Sequence, residues 1–453
     1  MVALFFEQAL LPTGWSECVR LTIESGWITS VEQGAAPGPA DFRHAIGVPG
    51  LPNLHSHGFQ RGMAGLSEVR GPGSDSFWTW REVMYRFLAV LTPDDVLAIT
   101  AQAYLEMLEG GFTRVGEFHY LHHDPHGHAY NNPAEMAEQI AAAASETGIG
   151  LTLLPCFYAH AGFGGLLPEA GQRRFINTLD RFAPLLEASR QAILPLPGSV
   201  LGIAPHSLRA VTPGEIAALL AMAPVGPVHM HIAEQVKEVT DCQAFCGARP
   251  VEWLLGHTPV DPRWCLIHAT HMLADEAAAL AKTGASAGLC PITEANLGDG
   301  IFAGEPWIRA GGAYGVGTDS NVLIDAAAEL RQLEYAQRLD RRGRNLMADS
   351  QPGASTGRTV FDRALAGGAS ALGVASGLHP RARADVISLR PAYPALAARR
   401  GDALLDGWLF GASGGVIDCV WAGGQQVVQD GKHGARRQIT SRYAVTLSSL
   451  LAR

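Results

Sequence analysis

Short apolar runs alternate with amphipathic stretches through the middle of the chain. Helical stretches occur at 213–223, 273–283 and 325–341, and another opens at Asn132-Pro133 with Asn132 as its N-cap. Near-continuous apolar strands separated by crossovers are typical of a parallel sheet covered on both faces. Eight such strands predict an α/β fold with a closed (β/α)8 TIM barrel over residues 49–381. The strands are expected at about 51–55, 114–118, 150–157, 200–205, 227–232, 264–269, 286–290 and 313–318.

The two ends of the chain follow a different pattern. Residues 19–23 and 27–31 alternate apolar and polar positions on either side of Ser25-Gly26, which indicates a β-hairpin with one solvated face. Strand-like runs return at 385–389 and 415–428. Because both ends are rich in β-strand patterns, we expect residues 1–48 and 382–453 to meet in one small β-sandwich domain.

Composition narrows the class of protein. The 453 residues are 47% hydrophobic and 17% charged, which describes a globular chain with a large core. The net charge is −9 without a basic cluster, so we expect no nucleic-acid partner. We also expect no membrane partner and a soluble, cytoplasmic protein, because no signal peptide and no apolar run of about 18 residues is present. The seven scattered cysteines fit free thiols in a reducing compartment.

The strongest polar signals fall where predicted barrel strands end, which is where the loops of such barrels build active sites. In an extended segment, residues two apart point the same way, so His55 and His57 can reach one ion. Imidazole nitrogens with a carboxylate suit Zn²⁺, and Fe²⁺ or Mn²⁺ are possible substitutes. An isolated His-x-His pair is weak evidence, but four such strand ends together are specific. They are His55-Ser56-His57, His229-Met230-His231-Ile232-Ala233-Glu234, His268, and Thr318-Asp319.

These motifs, over nearly the full chain, resemble the amidohydrolase superfamily, whose members combine a metal barrel with a β-sandwich made from both termini. His229 lies on the same strand face as His231, but the family ligand is the histidine three residues before the glutamate, which is His231 here. The resemblance implies metal ligands His55, His57, His231 and Asp319, and catalytic residues His268, Glu234 and Asp319.

The number of metal ions follows from an absence. Many relatives hold two metals through a carboxylated lysine on a middle strand of the barrel. The only lysines here are Lys237, Lys282 and Lys432, so no lysine precedes the fifth predicted strand or lies on it. We therefore expect one metal ion per chain, which in this superfamily goes with deaminases.

The ligand set predicts a hydrolytic mechanism. A Zn²⁺ ion with an open position lowers the pKa of bound water from 15.7 to about 7, which supplies a nucleophile at neutral pH. We expect Asp319 to take the proton of that water and Glu234 to give a proton to an imine nitrogen of the substrate. His268 would orient the nucleophile and stabilise the developing charge. The predicted outcome is hydrolysis of a C=N bond and release of ammonia.

Flanking segments narrow the substrate. Segments 51–65, 77–82, 116–123 and 205–209 closely resemble the family of N-formimino-L-glutamate deiminases, which form N-formyl-L-glutamate and ammonia in histidine degradation. Formiminoglutamate carries two carboxylates, and the planar guanidinium of arginine matches a carboxylate. The substrate-binding residues implied by this resemblance are Gln60, Arg81, Tyr120, His206 and Arg209. We expect Arg81 in the long loop after the first barrel strand and Arg209 four residues past the end of the fourth, so both can reach the barrel mouth.

Several alternatives stay open on the sequence alone. A mononuclear zinc deaminase of guanine, another purine, an adenosine-type nucleoside or an s-triazine would use the same metal ligands, and Phe77, Trp78 and Trp80 could stack on a flat ring. A non-catalytic barrel predicts eroded ligands, and cleavage of the other C–N bond would release formamide. We expect a homodimer because relatives often are dimers. The sequence around His122, His123, His126 and His128 indicates a solvated loop and not a second metal site, because its Pro and Gly residues break fixed ligand geometry.

Overall fold

The computed structural model describes residues 1–452, so Arg453, at the end of the predicted 382–453 segment, lies outside the described residues. The strands are β1 (Val2–Leu11), β2 (Gly14–Glu24), β3 (Trp27–Glu32), β4 (Phe42–Pro49), β5 (Leu51–Ser56), β6 (Phe112–His119), β7 (Gly150–Phe157), β8 (Val200–Leu201), β9 (Ala204–Pro205), β10 (Val228–Ile232), β11 (Trp264–His268), β12 (Ser286–Leu289), β13 (Ala313–Val316), β14 (Val386–Leu389), β15 (Ile417–Ala422), β16 (Gln425–Gln429) and β17 (Lys432–His433).

Fourteen α-helices and two short 3-10 helices lie within residues 1–452. The α-helices are α1 (Phe77–Leu88), α2 (Pro93–Glu109), α3 (Glu135–Thr147), α4 (Leu179–Ile193), α5 (Pro213–Met222), α6 (Val236–Cys246), α7 (Pro250–His257), α8 (Ala274–Ala281), α9 (Pro291–Leu297), α10 (Gly304–Arg309), α11 (Ala326–Arg341), α12 (Thr356–Ala371), α13 (Asp402–Gly411) and α14 (Arg436–Leu451). The 3-10 helices span Gly58–Met63 and Ala170–Gln172. None of these helices has the length and apolar character needed to cross a bilayer.

The middle of the chain forms the predicted barrel. Strands β5, β6, β7 and β8 are parallel neighbours, β9 pairs with β7, and β10 to β13 form a second parallel run. Parallel bridges Ile203↔Val228 and Ser207↔His231 join β9 and the residues after it to β10. The bridge Ser56↔Asp319 closes the ring between β5 and the residues after β13. The fold class predicted from the sequence is therefore confirmed.

Both termini meet in one sheet beside the barrel. Its eight strands run in the order β17-β16-β15-β14-β4-β1-β2-β3, so the expected sandwich takes the form of one continuous hydrogen-bonded sheet. The alternating patterns of β1 and β2 bury Leu4, Phe6 and Leu21 in a core that also contains Val386 and Trp421 from the C-terminal strands. This shared core fixes the C-terminal strands against the N-terminal ones.

The barrel has a closed floor below the active-site end. Leu54 and Ile267 pack with Ala371 and Leu372 at the end of α12. His229 is buried there, and its Nε2 atom donates to the carbonyl oxygen of Ala371 at 2.7 Å. His229, the histidine of β10 that is not expected to be a metal ligand, is thus part of the barrel floor. Ligands can enter only from the opposite end.

A close backbone approach sets the position of Asp319. A Cβ atom at Gly317 would lie 2.7 Å from the carbonyl oxygen of His55, which is closer than side chains tolerate. Glycine therefore lets the chain after β13 lie directly against β5. The amides of His57 and Asp319 then donate to Asp319 O and His55 O at 3.0 Å each.

Three local predictions differ from the structure. Helix α3 begins at Glu135, and the Asn132 side chain accepts a hydrogen bond from the amide of Ala134 at 3.0 Å, so Asn132 caps a turn before the helix. Arg81 lies on helix α1, not in a long irregular loop. The C-terminal segment contains α13 and α14 besides its strands. Helix α14 buries only Ile439 and Leu450, so its helical periodicity is weak in the sequence.

Candidate active site

Four side chains converge at the open end of the barrel. His55 lies at the end of β5, and His57 comes directly after that strand. His231 lies on β10, and Asp319 follows β13. Their potential ligand atoms all lie within 4.8 Å of one another, and all four residues are buried. The Oδ1 atom of Asp319 lies 3.4 Å from His55 Nε2 and 3.3 Å from His57 Nε2. We call these four residues the metal quartet.

The hydrogen bonds around the metal quartet fit a cation. The Nδ1 atom of His57 donates to the Phe118 carbonyl at 2.8 Å, and that of His231 donates to the His206 carbonyl at 3.2 Å. A carbonyl oxygen only accepts, so Nδ1 carries the proton and each Nε2 presents a lone pair. Burial lowers the pKa of all three histidines, that of His55 to about 3. Three neutral imidazoles and a carboxylate that face one another form a donor set that suits a metal cation.

Backbone strain is concentrated at the same strand ends. Ala233, His268, Ala269 and Asp319 have φ values of 50°, 69°, 49° and 41°, in the left-handed region that residues with a Cβ atom rarely adopt. Each such residue costs about 1–3 kcal/mol and persists only where the surrounding structure fixes it. The strain turns the chain sharply after β10, β11 and β13, which aims functional side chains into the barrel mouth.

His268 connects two carboxylates. Its Nε2 atom lies 3.7 Å from Glu234 Oε1 and 3.8 Å from Asp319 Oδ2. Its Nδ1 atom donates to Glu294 Oε1 at 3.3 Å, and Glu294 also accepts from the amide of Cys290 at 2.9 Å. Burial opposes the charge on His268, but Glu234, Glu294 and Asp319 raise its pKa to about 10. The imidazole is therefore held in its protonated form between Glu234 and Asp319.

Burial raises the pKa of Glu234, so this carboxyl can carry a proton near neutral pH. Its Oε2 atom lies 3.8 Å from Arg209 Nη2. Arg209 is also 3.8 Å, through Nε, from Oε2 of the fully buried Glu238. Burial opposes the charge of Arg209, but Glu238 and Glu234 raise its pKa. Both contacts are longer than hydrogen bonds, so Arg209 stays charged while its N–H groups remain available to a ligand.

One cavity at the barrel mouth joins these groups. Helix α1 forms part of its wall through Arg81 and several aromatic side chains. Gln60 Nε2 donates to the Tyr120 hydroxyl at 3.0 Å, and the buried Gln60 Oε1 has no hydrogen-bond partner among the described residues. Every residue that the sequence analysis named for catalysis or substrate binding lines this cavity: Gln60, Arg81, Tyr120, His206, Arg209, Glu234, His268 and Asp319.

The four histidines of the loop after β6 differ in their burial. His122 and His123 are buried, and their Nε2 atoms donate to the carbonyl oxygens of Cys156 and Ile176 at 2.8 and 2.9 Å. His126 and His128 are exposed around Asp124. The prediction of a fully solvated loop is therefore wrong for the first two histidines, which pair with backbone groups.

Comparison with known proteins agrees with this geometry. Residues 46–427 match the family model described as the amidohydrolase family. The chain belongs to the amidohydrolase family. Residues 1–45 of this amidohydrolase match the N-terminal domain of formimidoylglutamate deiminase HutF. Members of the family are typically metal-dependent, in line with the metal quartet.

Individual relatives of this amidohydrolase cover most or all of the chain. It is 50% identical over 455 residues to formimidoylglutamate deiminase of Pseudomonas aeruginosa, which covers 100% of both chains. It is 28% identical over 340 residues to 8-oxoguanine deaminase of the same organism, over 70% of this chain and 71% of that one. A crystal structure of an amidohydrolase from Brucella melitensis is 53% identical and superposes with a TM-score of 0.96, covering 100% of both chains.

Sequence reasoning missed the buried groups that support the site of this amidohydrolase. Asn321 Nδ2 donates to the Ser56 hydroxyl and to the His57 carbonyl at 3.1 Å each. Asn53 Nδ2 donates to Thr318 Oγ1 at 2.7 Å, which in turn donates to Asn321 Oδ1 at 2.6 Å. This network ties β5, which carries His55, to the chain after β13, which carries Asp319. Asn53 offered a signal, because it is a polar residue in the buried strand β5, two positions before His55.

Proposed function

We propose that this chain hydrolyses N-formimino-L-glutamate to N-formyl-L-glutamate and ammonia, as a step of histidine degradation. The observation that carries the proposal is one cavity lined by His57, His231 and Asp319 of the metal quartet together with two arginines, Arg81 and Arg209, that have unsatisfied N–H groups. The 50% identity to a formimidoylglutamate deiminase over the full length of both chains supports the same substrate.

The two arginines suit the two carboxylates of this substrate. Arg209 faces the cavity from the loop after β9, and Arg81 faces it from α1. Arginine can bind a carboxylate through two parallel N–H···O hydrogen bonds, which fixes orientation as well as charge. Two such anchors would place the formimino group toward the metal quartet, where Gln60 Oε1 is free to accept from an N–H group.

The metal would be held by His55, His57, His231 and Asp319, and we propose one Zn²⁺ per chain, with Fe²⁺ or Mn²⁺ as possible substitutes. When bound, such an ion supplies Lewis-acid activation of water, lowering the water pKa from 15.7 to about 7. The donor set of three neutral imidazoles and one carboxylate supports zinc without distinguishing it from the other two ions.

The side chains divide the proton transfers. Asp319 directs Oδ1 toward the histidines of the metal quartet and Oδ2 toward His268, so Oδ2 is placed to take a proton from the attacking water. Glu234, with its raised pKa, gives a proton to the amidine nitrogen that leaves. His268 lies between them and stabilises negative charge at the reacting carbon's oxygen. Water adds to the C=N carbon, the C–N bond to the protonated nitrogen breaks, and ammonia departs.

The test is an assay of the metal-loaded protein with N-formimino-L-glutamate, following ammonia, formamide and N-formyl-L-glutamate together. We expect ammonia and N-formyl-L-glutamate in equal amounts. Formamide and glutamate would show cleavage of the other C–N bond and contradict the proposal. If the metal-loaded protein leaves this substrate intact but deaminates guanine, adenosine-type nucleosides or s-triazines, the aromatic part of the cavity wall selects the substrate.

The cellular setting belongs to the same proposal. The seven cysteines are free in the structure, which supports a reducing compartment such as the cytoplasm. We propose a small dicarboxylate as the only partner apart from a second copy of the chain, with neither nucleic acid nor membrane bound. Light scattering of the purified protein at micromolar concentration tests the homodimer, and a monomer mass would contradict it.

A further inference from the structure

Trp78 lies in the first turn of α1, which Ser76 caps by accepting from the Trp78 amide at 3.3 Å. Its neighbours Phe77, Trp80 and Arg81 line the active-site cavity, but Trp78 does not. Its partly exposed indole lies behind the cavity wall. Neither the proposed chemistry nor the cavity lining therefore explains this tryptophan.

Three cations lie against the Trp78 ring. The guanidinium carbons of Arg81 and Arg209 are 4.7 and 5.9 Å from a ring centroid, and Lys237 Nζ is 5.7 Å away. They come from different elements: α1, the loop after β9, and the first turn of α6. Like charges repel, but the negative face of an indole attracts cations within about 6 Å. Trp78 thus joins α1 to the barrel at the place where positive charge accumulates.

The three cations differ in what neutralises them. Lys237 pairs with Asp241 at 2.6 Å, and Arg209 lies near Glu234 and Glu238. Within residues 1–452, the side chain of Arg81 makes no ion pair and no hydrogen bond. Its contacts are with the rings of Trp78 and Tyr85, the latter at 5.4 Å. An unpaired guanidinium in the wall of a cavity is matched to an anionic ligand.

We infer that Trp78 is a positioning residue that holds Arg81 and Arg209 for a ligand with two carboxylates, and so sets the preference for dicarboxylates over monocarboxylates. The inference rests on the proposed function for the identity of the natural substrate, but its physical content is the binding of a dianion. Trp78 acts through the arginines and touches no reacting atom.

The consequence is a defined separation of effects. An arginine without its aromatic support samples more rotamers, and ordering it again on binding costs free energy. A substitution at Trp78 should therefore weaken binding and leave the chemical step intact. A monocarboxylate that uses one arginine should be affected less than a dicarboxylate that uses both.

The experiment compares the metal-loaded wild type with Trp78→Leu, Trp78→Phe and Trp27→Leu. Trp27 is an exposed tryptophan on β3, remote from the cavity, and provides the matched control. The dissociation constants of glutarate and butyrate are measured by calorimetry, together with kcat and KM for N-formimino-L-glutamate. We expect Trp78→Leu to raise KM and the glutarate dissociation constant about tenfold, with kcat within about threefold. Trp78→Phe should recover most of the loss, and butyrate binding should change less than glutarate binding.

Each outcome decides one question. Equal losses in Trp78→Leu and Trp78→Phe, a fall in kcat at constant KM, or unchanged glutarate binding in folded Trp78→Leu would overturn the positioning role. If Trp78→Leu does not fold, Trp78→Met, which also lacks an aromatic face, takes its place, and glutarate affinity equal to that of the wild type in folded Trp78→Met overturns the role. If the wild type binds glutarate in a Trp78-dependent way but releases no ammonia from N-formimino-L-glutamate, the inference stands and the proposed substrate fails.

Discussion

The metal quartet and the histidine-rich loop after β6 contain the same residue type in similar positions, but they do different work. In the metal quartet, the Nδ1 atoms of His57 and His231 donate to backbone carbonyls. Their Nε2 lone pairs therefore point to the centre of the quartet. In the loop, the Nε2 atoms of His122 and His123 themselves donate to two separate carbonyls. Burial and close spacing are common to the histidines of the metal quartet and to His122 and His123.

A metal site depends on which nitrogen of each imidazole carries the proton. A buried neutral imidazole has one proton, and the backbone group that receives it decides which nitrogen is left as a ligand. Where the protons point outward from a common centre, lone pairs converge on that centre. Where the Nε2 atoms themselves carry the protons, as in His122 and His123, the Nε2 atoms have no lone pair left to meet at a common centre. The loop histidines therefore join β6 to neighbouring chain segments, whereas the metal quartet is incomplete as a polar cluster without a cation.

The largest expected effect breaks the metal quartet. We expect His57→Asn to lose bound metal and to lower kcat/KM for the proposed substrate at least about 10³-fold, because several kcal/mol of transition-state stabilisation depend on the metal. Metal content by atomic emission and ammonia release measure the two losses. His122→Asn is the matched control and should keep stoichiometric metal. A His57→Asn protein with full metal content would show that His57 is no ligand.

A smaller effect is expected one contact away from the reacting groups. Glu294 accepts from His268 Nδ1 and from the amide of Cys290, so it fixes the orientation of the imidazole. We expect Glu294→Gln to lower kcat about 10- to 100-fold, as for other residues that orient a site's functional side chains, while metal content stays unchanged. Steady-state ammonia release with metal analysis tests this, and an unchanged kcat would remove Glu294 from the mechanism.

The loop is expected to show the opposite behaviour, with altered stability and intact metal. His122 is 2% exposed and pairs with the Cys156 carbonyl. We expect His122→Asn to lower the free energy of unfolding by about 1–3 kcal/mol, because the carbonyl is left buried without its donor. Urea unfolding measures this loss. A variant of wild-type stability, or one that loses metal, would contradict the assignment of His122 to structure.

How much of this could be predicted from the sequence depends on the distance over which a residue acts. Strand ends and the His-x-His pair indicated a metal site, since alternation along a strand fixes side-chain direction locally. The resemblance to amidohydrolases was needed to select the four ligands, and His231 over His229 among them. The fate of His122 depends on the carbonyl of Cys156, 34 residues away, which no local pattern reports. The supporting roles of Glu238 and Asn321 were not predicted for the same reason, because their partners lie on other elements. Helix α14 was missed because a helix with two buried residues carries almost no apolar period.

The pH dependence of stability sharpens the comparison further. Burial lowers the pKa of His122 far below its ordinary value, so the unfolded chain binds a proton near pH 6.5 that the folded chain does not. Stability from this group is therefore present above pH 6.5 and is lost as pH falls toward 5. We expect the wild type to lose about 1–2 kcal/mol more than His122→Asn between pH 7 and 5. The histidines of the metal quartet titrate in both proteins, so unfolding curves at the two pH values isolate His122.

The smallest effect is expected at the exposed end of the loop. His126 and His128 are solvated, and the Nδ1 atom of His128 lies 3.5 Å from Asp124 with its side chain 79% exposed. The backbone amides of both residues already satisfy Asp124 Oδ1 at 2.8 Å, so the turn does not depend on the imidazoles. We expect the double substitution His126→Ser with His128→Ser to change stability by less than about 0.5 kcal/mol and to leave the metal content unchanged. Loss of a second equivalent of zinc in the variant would show that the loop binds metal, and would mean that exposed imidazoles can converge where the buried ones of the same loop do not.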